Sequence, residues 1–167
     1  MRLTHLADLV AHPAPAATAP PGTYTDLACL EDTHVLDVLF DIARSRLGIL
    51  LEGRQSGSMP AGNVAVVVAE AVTEFRWDCR AHVGPVQAIR VVAGGLRPRR
   101  DGVGLTMVCE TDSDLFVAAG RMAVHFVAVP DLPQAPVDYA SPDDEIRVGT
   151  PSWQHPGEAV TSWWVLP

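Results

Sequence analysis

Alternation of apolar and polar side chains with a period of two residues runs through most of this chain. It is clearest after Asn63, where residues 63–68 are nearly all Val and Ala. From 71 to 79 the odd positions then hold Ala, Thr, Phe, Trp and Cys, and the even positions between them hold Val, Glu, Arg and Asp. Successive side chains of a strand point to opposite faces, so this pattern predicts a half-buried strand. The same pattern predicts further strands at residues 86–92, 103–110, 115–119, 121–129 and 159–166. Short turns rich in Gly and Asp separate most of them, which favours antiparallel pairing.

Residues 34–52 admit two structures. Polar residues at positions 34, 37, 41 and 44 suit one face of a helix capped by Asp32, so one further helix at 33–46 stays open. The alternative is a hairpin. Its first strand has apolar residues at 36, 38, 40 and 42 on one face, residues 43–46 form the turn, and the second strand has apolar residues at 47, 49 and 51. Gly48 costs a helix about 1 kcal/mol relative to Ala, and a β-dense stretch follows, so the hairpin is favoured.

The two ends of the chain have a different composition. Residues 3–11 place Leu6, Leu9 and Val10 on one face behind Thr4, a helix-capping residue type, which predicts a short N-terminal helix. Pro and Ala dominate residues 12–22, as in a tether. We therefore predict a helix and Pro/Ala-rich tether at 1–22 and a single β-rich domain at 23–167, an antiparallel meander forming a sandwich or barrel. Residues 130–156, which are rich in Pro and acid, are predicted to be loop.

Net charge and cysteine usage limit the classes of binding partner and the cellular compartment that we expect for this chain. A formal charge of −8 over 167 residues argues against nucleic acid as a partner, because phosphate binding needs a basic surface. No apolar run reaches the roughly 18 residues of a membrane helix, and His5 and Asp8 interrupt what would be the core of a signal peptide. The three cysteines are widely spaced and form no C-x-x-C pair. These features predict a cytoplasmic protein.

Sequence patterns for catalysis are missing. Ser56 and Gly57 lack the spacing of a nucleophile elbow, and Gly94-Gly95 lacks the lysine and following helix of a phosphate-binding loop, which favours a solvated turn there. Asp37 and Asp41 would lie about 13 Å apart on a strand, too far for a paired acid and base. We therefore predict no catalytic residue, no metal and no cofactor, and the sequence leans away from an enzyme without deciding it.

Three groups of residues are candidates for binding. Arg97, Arg99 and Arg100 form a local positive patch able to dock a carboxylate or an acidic partner. Trp163 and Trp164 would point to opposite faces of a strand, so one should pack inward and the other face a groove, partner or solvent.

His125 is the third candidate. It is opposite in phase to Met122, Val124 and Phe126, so it should project from the other face of the sheet. If the sheet closes into a barrel, that face could be the interior, where one histidine could act as acid, base or ligand anchor, although a structural histidine is the commoner case.

A resemblance adds to these expectations. The ordered segments 37–54 (DVLFDIARSRLGILLEGR), 63–77 (NVAVVVAEAVTEFRW) and 121–133 (RMAVHFVAVPDLP) resemble small uncharacterised single-domain proteins of high-GC bacteria. More loosely, their strand-turn-strand rhythm is similar to that of β-rich immunity proteins, which neutralise polymorphic toxins by binding them. The resemblance implies binding through the surface or one open face, and it carries over no catalytic residue.

The leading hypothesis is therefore a non-enzymatic cytosolic binding module of immunity or accessory type with a protein partner. Its contacts would come from an exposed sheet face or from the loops at 53–62 and 94–102. The alternative is a small-molecule-binding or cyclase-like β-barrel with an internal pocket. A homo-oligomer held by strand edges also stays open.

Overall fold

The fold is mainly β. The computed structural model describes residues 2–3, 5–12, 17–18, 25–78, 88–139, 141 and 143–165. The strands are β1 (Arg2–Leu3), β2 (Ala17–Thr18), β3 (Thr25–Asp26), β4 (His34–Asp41), β5 (Arg46–Glu52), β6 (Val64–Asp78), β7 (Ile89–Arg99), β8 (Gly102–Cys109), β9 (Ser113–Ala128) and β10 (Gly157–Val165). Two short helices, α1 (Ala7–Ala11) and α2 (Asp143–Gly149), accompany them, with 3₁₀ turns at Ala28–Leu30 and Ile42–Arg44. The predicted β-rich fold and the short N-terminal helix are confirmed.

Six strands form a closed antiparallel ring. β4 pairs with β5, β5 with β6, β6 with β9, β9 with β8, β8 with β7, and β7 returns to β4 through His34 and Val35. β10 extends the sheet beyond the ring by pairing with residues 122–128 of β9. The strands at 115–119 and 121–129, predicted separately, are therefore one long strand.

The two longest strands bend at the same level. Ala71 of β6 adopts a left-handed φ of 52°, and the register between β6 and β9 shifts between Val72 and Glu74. Gly120 of β9 faces this bend, where a Cβ would lie 3.1 Å from the Cβ of Ala71. Bulges of this kind re-aim strands, and here the bend lets β6 and β9 contribute to both halves of the barrel.

The barrel interior is apolar. Alternate residues of the ring strands point inward and pack together, including Leu47, Ile49, Val67, Leu105, Val117, Val124 and Phe126. A second apolar cluster covers the outer face of β5, β6 and β9, where Leu6, Leu9 and Val10 of the α1 region pack against Val66 and Val68. The N-terminal helix thus closes one outer face of the barrel.

The loop predicted at 130–156 needs correction. It contains α2, and its Ile146 and Trp153 are only 2% and 8% exposed. Asp144 and Glu145 lie in the first turn of α2, where negative side chains are favoured by the helix dipole. The prediction failed because a seven-residue helix that buries Ile146 has too little periodicity to recognise.

The hairpin at 34–52 is confirmed, and the alternative helix at 33–46 is wrong, since only Ile42–Arg44 forms a helical turn there. The predicted facing of its first strand is also wrong. A bulge between Val35 and Asp37 turns Leu36 toward the outer cluster, whereas Val38 packs against the interior. Phe40 and Ile42 are 47% and 78% exposed.

Two further predictions are corrected. The bulge at Thr73 breaks the alternation predicted for 71–79, so Val72 and Trp77 both pack against the interior. The loop predicted at 94–102 is mostly strand, because Gly94 and Gly95 belong to β7. Glycine suits this strand because Leu27 approaches its backbone, with the Leu27 N–H donating to the Gly94 carbonyl at 3.1 Å.

Several predictions lie outside the described residues: the Thr4 cap, most of the tether, and the part of the 86–92 strand before residue 88 together with Cys79. The domain boundary at residue 22 stays a prediction. Within the described part of the chain, no helix is both long enough and apolar enough to cross a bilayer.

Candidate functional site: an arginine-lined groove

Two adjoining depressions open on the surface where β6 and β9 bend. The larger has a volume of about 690 Å³ and is lined by Arg44, Ser45, Arg46, Glu70, Ala71, Val72, Thr73, Gly120 and Arg121. The smaller has a volume of about 270 Å³ and is lined by Thr73, Arg99, Arg100, Asp101, Gly102, Val103, Ala118 and Ala119. They meet at Thr73, and together we call them the arginine groove, after Arg44, Arg46, Arg99, Arg100 and Arg121.

The β4–β5 hairpin forms one wall of the groove. Its turn closes through Ser45, which adopts a left-handed φ of 49°, and the Ser45 carbonyl accepts from the Val72 N–H at 2.9 Å. Arg44 pairs with Asp41 through Nη1 and Oδ2 at 2.8 Å. The hydrogen bond from the Arg44 side chain lowers the pKa of the Asp41 carboxyl. The turn therefore holds Arg44 at the edge of the groove with 61% of its side chain exposed.

A charged row crosses the floor of the groove. Arg46, Glu70 and Arg121 are register partners on β5, β6 and β9. The Glu70 side chain is 93% buried; its Oε1 forms an ion pair with Arg46 Nη2 at 3.0 Å, and its Oε2 accepts from Arg121 Nε. Arg46 also donates to the Ala11 carbonyl at 2.5 Å, which ties the row to α1. One buried carboxylate thus holds two guanidinium groups in fixed positions.

The β7–β8 hairpin forms the other wall. Gly102 has a φ of 143°, and a Cβ there would lie 2.1 Å from the Ala119 carbonyl oxygen, so the turn needs glycine. This turn presents Arg99 and Arg100 beside Thr73. Arg99 also lies over the ring of Phe116, with 5.5 Å from its Cζ to the ring centroid, which restrains the guanidinium.

The groove is positive although the chain is acidic. Five arginines face two lining carboxylates, those of Glu70 and Asp101, and Asp41 compensates Arg44 from behind. The groove therefore carries about two net positive charges. Arginine presents a planar fork that binds carboxylates through two parallel hydrogen bonds, so the arrangement suits an anionic ligand.

The structure separates the predicted positive patch. Arg99 and Arg100 line the groove, whereas Arg97 lies exposed on β7 outside both depressions. Trp163 faces the same side as Val124 and packs edge-on against Phe126, with ring centroids 5.0 Å apart. The side chain of Trp164 lies outside the described part.

His125 is on the outer face of the barrel and not in the interior. It is fully buried, and its Nδ1 lies 2.8 Å from Ser162 Oγ. Burial lowers the pKa of His125 to about 4, so the ring is neutral at pH 7. A buried neutral histidine bonded to a serine has the character of a structural residue.

Sequence reasoning missed Arg44, Arg46, Glu70 and Arg121. These residues are distant in sequence and meet only through strand register. The hairpin turn did provide a signal for one of them. Residues at equal distances from a hairpin turn lie opposite each other, so the predicted turn at 43–46 would have placed Arg46 at the end of β5 next to the turn. The pairing of β6 with β9 joins strands that are not neighbours in sequence, and no local pattern reveals it.

A second buried polar cluster ties Pro133, Ala135 and Gly149 to the barrel. The side chains of Glu52 and Arg54 are 0% and 3% exposed and pair through Oε2 and Nη2 at 2.5 Å. Arg54 also donates to the carbonyls of Pro133, Ala135 and Gly149. All these contacts join parts of the chain to each other, so this cluster is structural. Among the described residues, no group of three or more His, Cys, Asp or Glu is placed to hold a metal ion.

Comparison with known proteins adds no assignment. No family model matches the chain, and no curated protein matches it. A crystal structure of an uncharacterized protein from Neisseria gonorrhoeae is similar with a TM-score of 0.45 and 8% identity, covering 62% of this chain and 97% of that chain.

Proposed function

We propose that this chain is a non-enzymatic binding module whose arginine groove binds an acidic segment of a partner protein. One observation carries the proposal: five of the twelve arginines line a single groove on a chain with a net charge of −8. Charges of one sign gathered in a concave site on a surface of the opposite sign focus the local potential there.

The charge distribution supports selectivity as well as attraction. An acidic partner is repelled by the rest of the surface and attracted only when its carboxylates face the groove, so orientation is selected on approach. Arg44 and Arg121 keep 61% and 52% of their side chains exposed, so both can reach a ligand while Asp41 and Glu70 hold them in place. Ligand binding then orders few additional rotamers.

We also propose that the chain acts in the cytosol as a protein of immunity or accessory type. This part of the proposal is supported by the resemblance of residues 37–54, 63–77 and 121–133 to small β-rich bacterial proteins. The alternative, a small-molecule-binding or cyclase-like barrel, stays a prediction. The interior residues described here form a continuous apolar cluster. A small ligand with polar contacts would therefore bind in the groove, and we expect it to be an anion.

Affinity capture with matched variants tests the proposal. The tagged chain, the variant Arg99→Glu/Arg100→Glu and the control Arg147→Glu/Arg76→Glu are incubated with a lysate of the source organism. Arg147 and Arg76 are exposed and lie outside the groove, so the control makes the same charge change. We expect the wild type and the control to retain the same partner, the groove variant to lose it, and the partner to carry a segment rich in Asp and Glu. Equal retention by all three chains would refute the proposal.

A further inference from the structure

The larger depression of the arginine groove matches one further negative charge. Three guanidinium groups line it, those of Arg44, Arg46 and Arg121. The Glu70 carboxylate pairs with Arg46 and Arg121 at the floor, and Asp41 pairs with Arg44 from behind. Three positive groups are therefore offset by two negative ones. The remaining charge of about plus one suits a single carboxylate of a ligand. We call this depression the larger pocket.

The smaller depression, which we call the smaller pocket, has the same balance of charge. Arg99 and Arg100 line it together with one carboxylate, that of Asp101. The ring of Phe116 lies beneath the Arg99 guanidinium and restrains its direction. A charge of about plus one is left here as well. Each of the two pockets therefore matches one carboxylate, and neither matches two.

The floor between the two pockets is uncharged and built from small side chains. It lies where β6 and β9 bend, and the lining residues there are Ala71, Val72, Thr73, Ala118, Ala119 and Gly120. The Thr73 hydroxyl donates to the Ala118 carbonyl at 3.4 Å, so its hydrogen bond stays within the protein. A peptide that crosses this floor needs no charge at the positions between the pockets.

Strand geometry sets the distance from one pocket to the other. Arg121 lines the larger pocket and Ala119 the smaller one, and they are two residues apart on β9, or about 7 Å. Glu70 and Thr73 are three residues apart on β6, or at most about 10 Å. An extended peptide advances about 3.3 Å per residue, so acidic residues two or three positions apart span this distance. Adjacent residues of such a peptide point to opposite sides and do not.

We propose that the acidic segment bound by the arginine groove carries two acidic residues two or three positions apart, one for each pocket, with small uncharged residues between them. This inference rests on the proposed function and adds the spacing that selects the segment. Once the first carboxylate is bound, the second is held close to the other pocket. A matched spacing therefore raises the affinity without any additional kind of contact.

Peptides of equal charge test the spacing. Three eight-residue peptides with blocked ends each contain two Glu and six Gly, and the Glu residues are adjacent, three positions apart or seven positions apart. A fourth peptide contains a single Glu. NMR titration of the full chain, followed at the amides of Thr73 and Gly120, gives the dissociation constants. We expect the peptide with Glu three positions apart to bind at least about fivefold more tightly than the other three.

Two variants separate the contacts of the two pockets. Arg44→Ala removes the excess positive charge of the larger pocket, and Arg100→Ala removes that of the smaller pocket. Either variant should weaken the best peptide to the affinity of the single-Glu peptide, because only one carboxylate is then held. The control Arg147→Ala removes an exposed arginine of α2 and should leave every dissociation constant unchanged.

Equal affinities of the peptides with two Glu would overturn the inference, and so would full affinity of the best peptide for either pocket variant. The absence of binding by any peptide up to about 10 mM would overturn it as well. Failure of the proposed function gives a different result, since the captured partner is then retained by Arg99→Glu/Arg100→Glu. A partner that this variant loses, together with peptides that bind whatever their spacing, would leave the proposed function standing and refute only the spacing.

Discussion

Replacing Arg54 by Met should destabilise the fold strongly. Arg54 Nε and Nη2 donate to the two carboxylate oxygens of Glu52 at 2.7 and 2.5 Å, and both side chains are almost fully buried. The substitution keeps the apolar stem of the side chain but removes its charge. Glu52 is then left as a buried carboxylate without its cationic partner, which is the costly outcome for a buried pair.

The expected loss is about 3 to 5 kcal/mol of unfolding free energy. Arg54 also donates to three carbonyls, those of Pro133, Ala135 and Gly149. The first two contacts are exposed and can be replaced by water, so they add little, whereas the contact with Gly149 is partly buried. For a chain of this size the melting temperature should fall by about 6 to 20 °C. Residues 131–139 and 143–149 should also lose protection in amide hydrogen exchange, because the carbonyls of Pro133, Ala135 and Gly149 lose their contacts with Arg54.

Urea unfolding followed by tryptophan fluorescence measures this loss. The double variant Glu52→Gln/Arg54→Met removes the orphaned charge and should recover about 2 kcal/mol relative to the single variant. A single variant that loses less than about 1 kcal/mol, or a double variant no more stable than the single one, would refute the argument that the pair is buried and interdependent.

Three further predictions concern stability. Gly62→Ala should lower the free energy of unfolding in urea by at least about 2 kcal/mol, because φ is 77° and the new Cβ would lie 2.4 Å from the Val127 carbonyl oxygen. The control Gly57→Ala places its Cβ where nothing lies within 4 Å and should cost almost nothing. Burial lowers the pKa of His125 from 6.5 to about 4, so between these pH values the unfolded chain binds a proton that the folded chain does not. The free energy of unfolding should therefore fall by up to about 3 kcal/mol from pH 6.5 to pH 4. His125→Gln should flatten this pH dependence, and parallel curves for the two chains would contradict the prediction. Trp153→Phe removes the hydrogen bond from Nε1 to Asp37 Oδ2 at 2.9 Å and should cost about 1 to 2 kcal/mol in thermal unfolding, with no change counting against that bond's role.

The regular parts of the fold were predictable from local pattern. The alternation in residues 103–110 and 121–129 marks β8 and the second half of β9, because strands with one face in the core repeat every two residues. The hairpin at 34–52 followed from Gly48 and the strand signals around it. In each case one contiguous segment carried the whole signal.

The errors arose where structure depends on distant contacts. Single extra residues at Leu36 and Thr73 reverse the facing of everything beyond them, and nothing in the local composition marks such a bulge. Closure of the ring by β4 and β7 also decides which face is interior, and it places His125 outside. The groove was half predictable: Arg99 and Arg100 are adjacent in sequence, whereas Arg46, Glu70 and Arg121 meet only through register.

The central claim is that the arginine groove binds carboxylates, and competition by Glu70 tests it most directly. Glu70 pairs with Arg46 and Arg121 in the free chain, so Glu70→Gln removes a competing negative charge from the groove, while the amide oxygen can still accept from a guanidinium group and keep it in position. The measurement is the dissociation constant of that partner, by titration calorimetry at several salt concentrations. We predict tighter binding for Glu70→Gln, weaker binding for Arg99→Glu/Arg100→Glu, and weakening of all three chains with salt. Equal and salt-independent dissociation constants for the wild type and both variants would contradict the account.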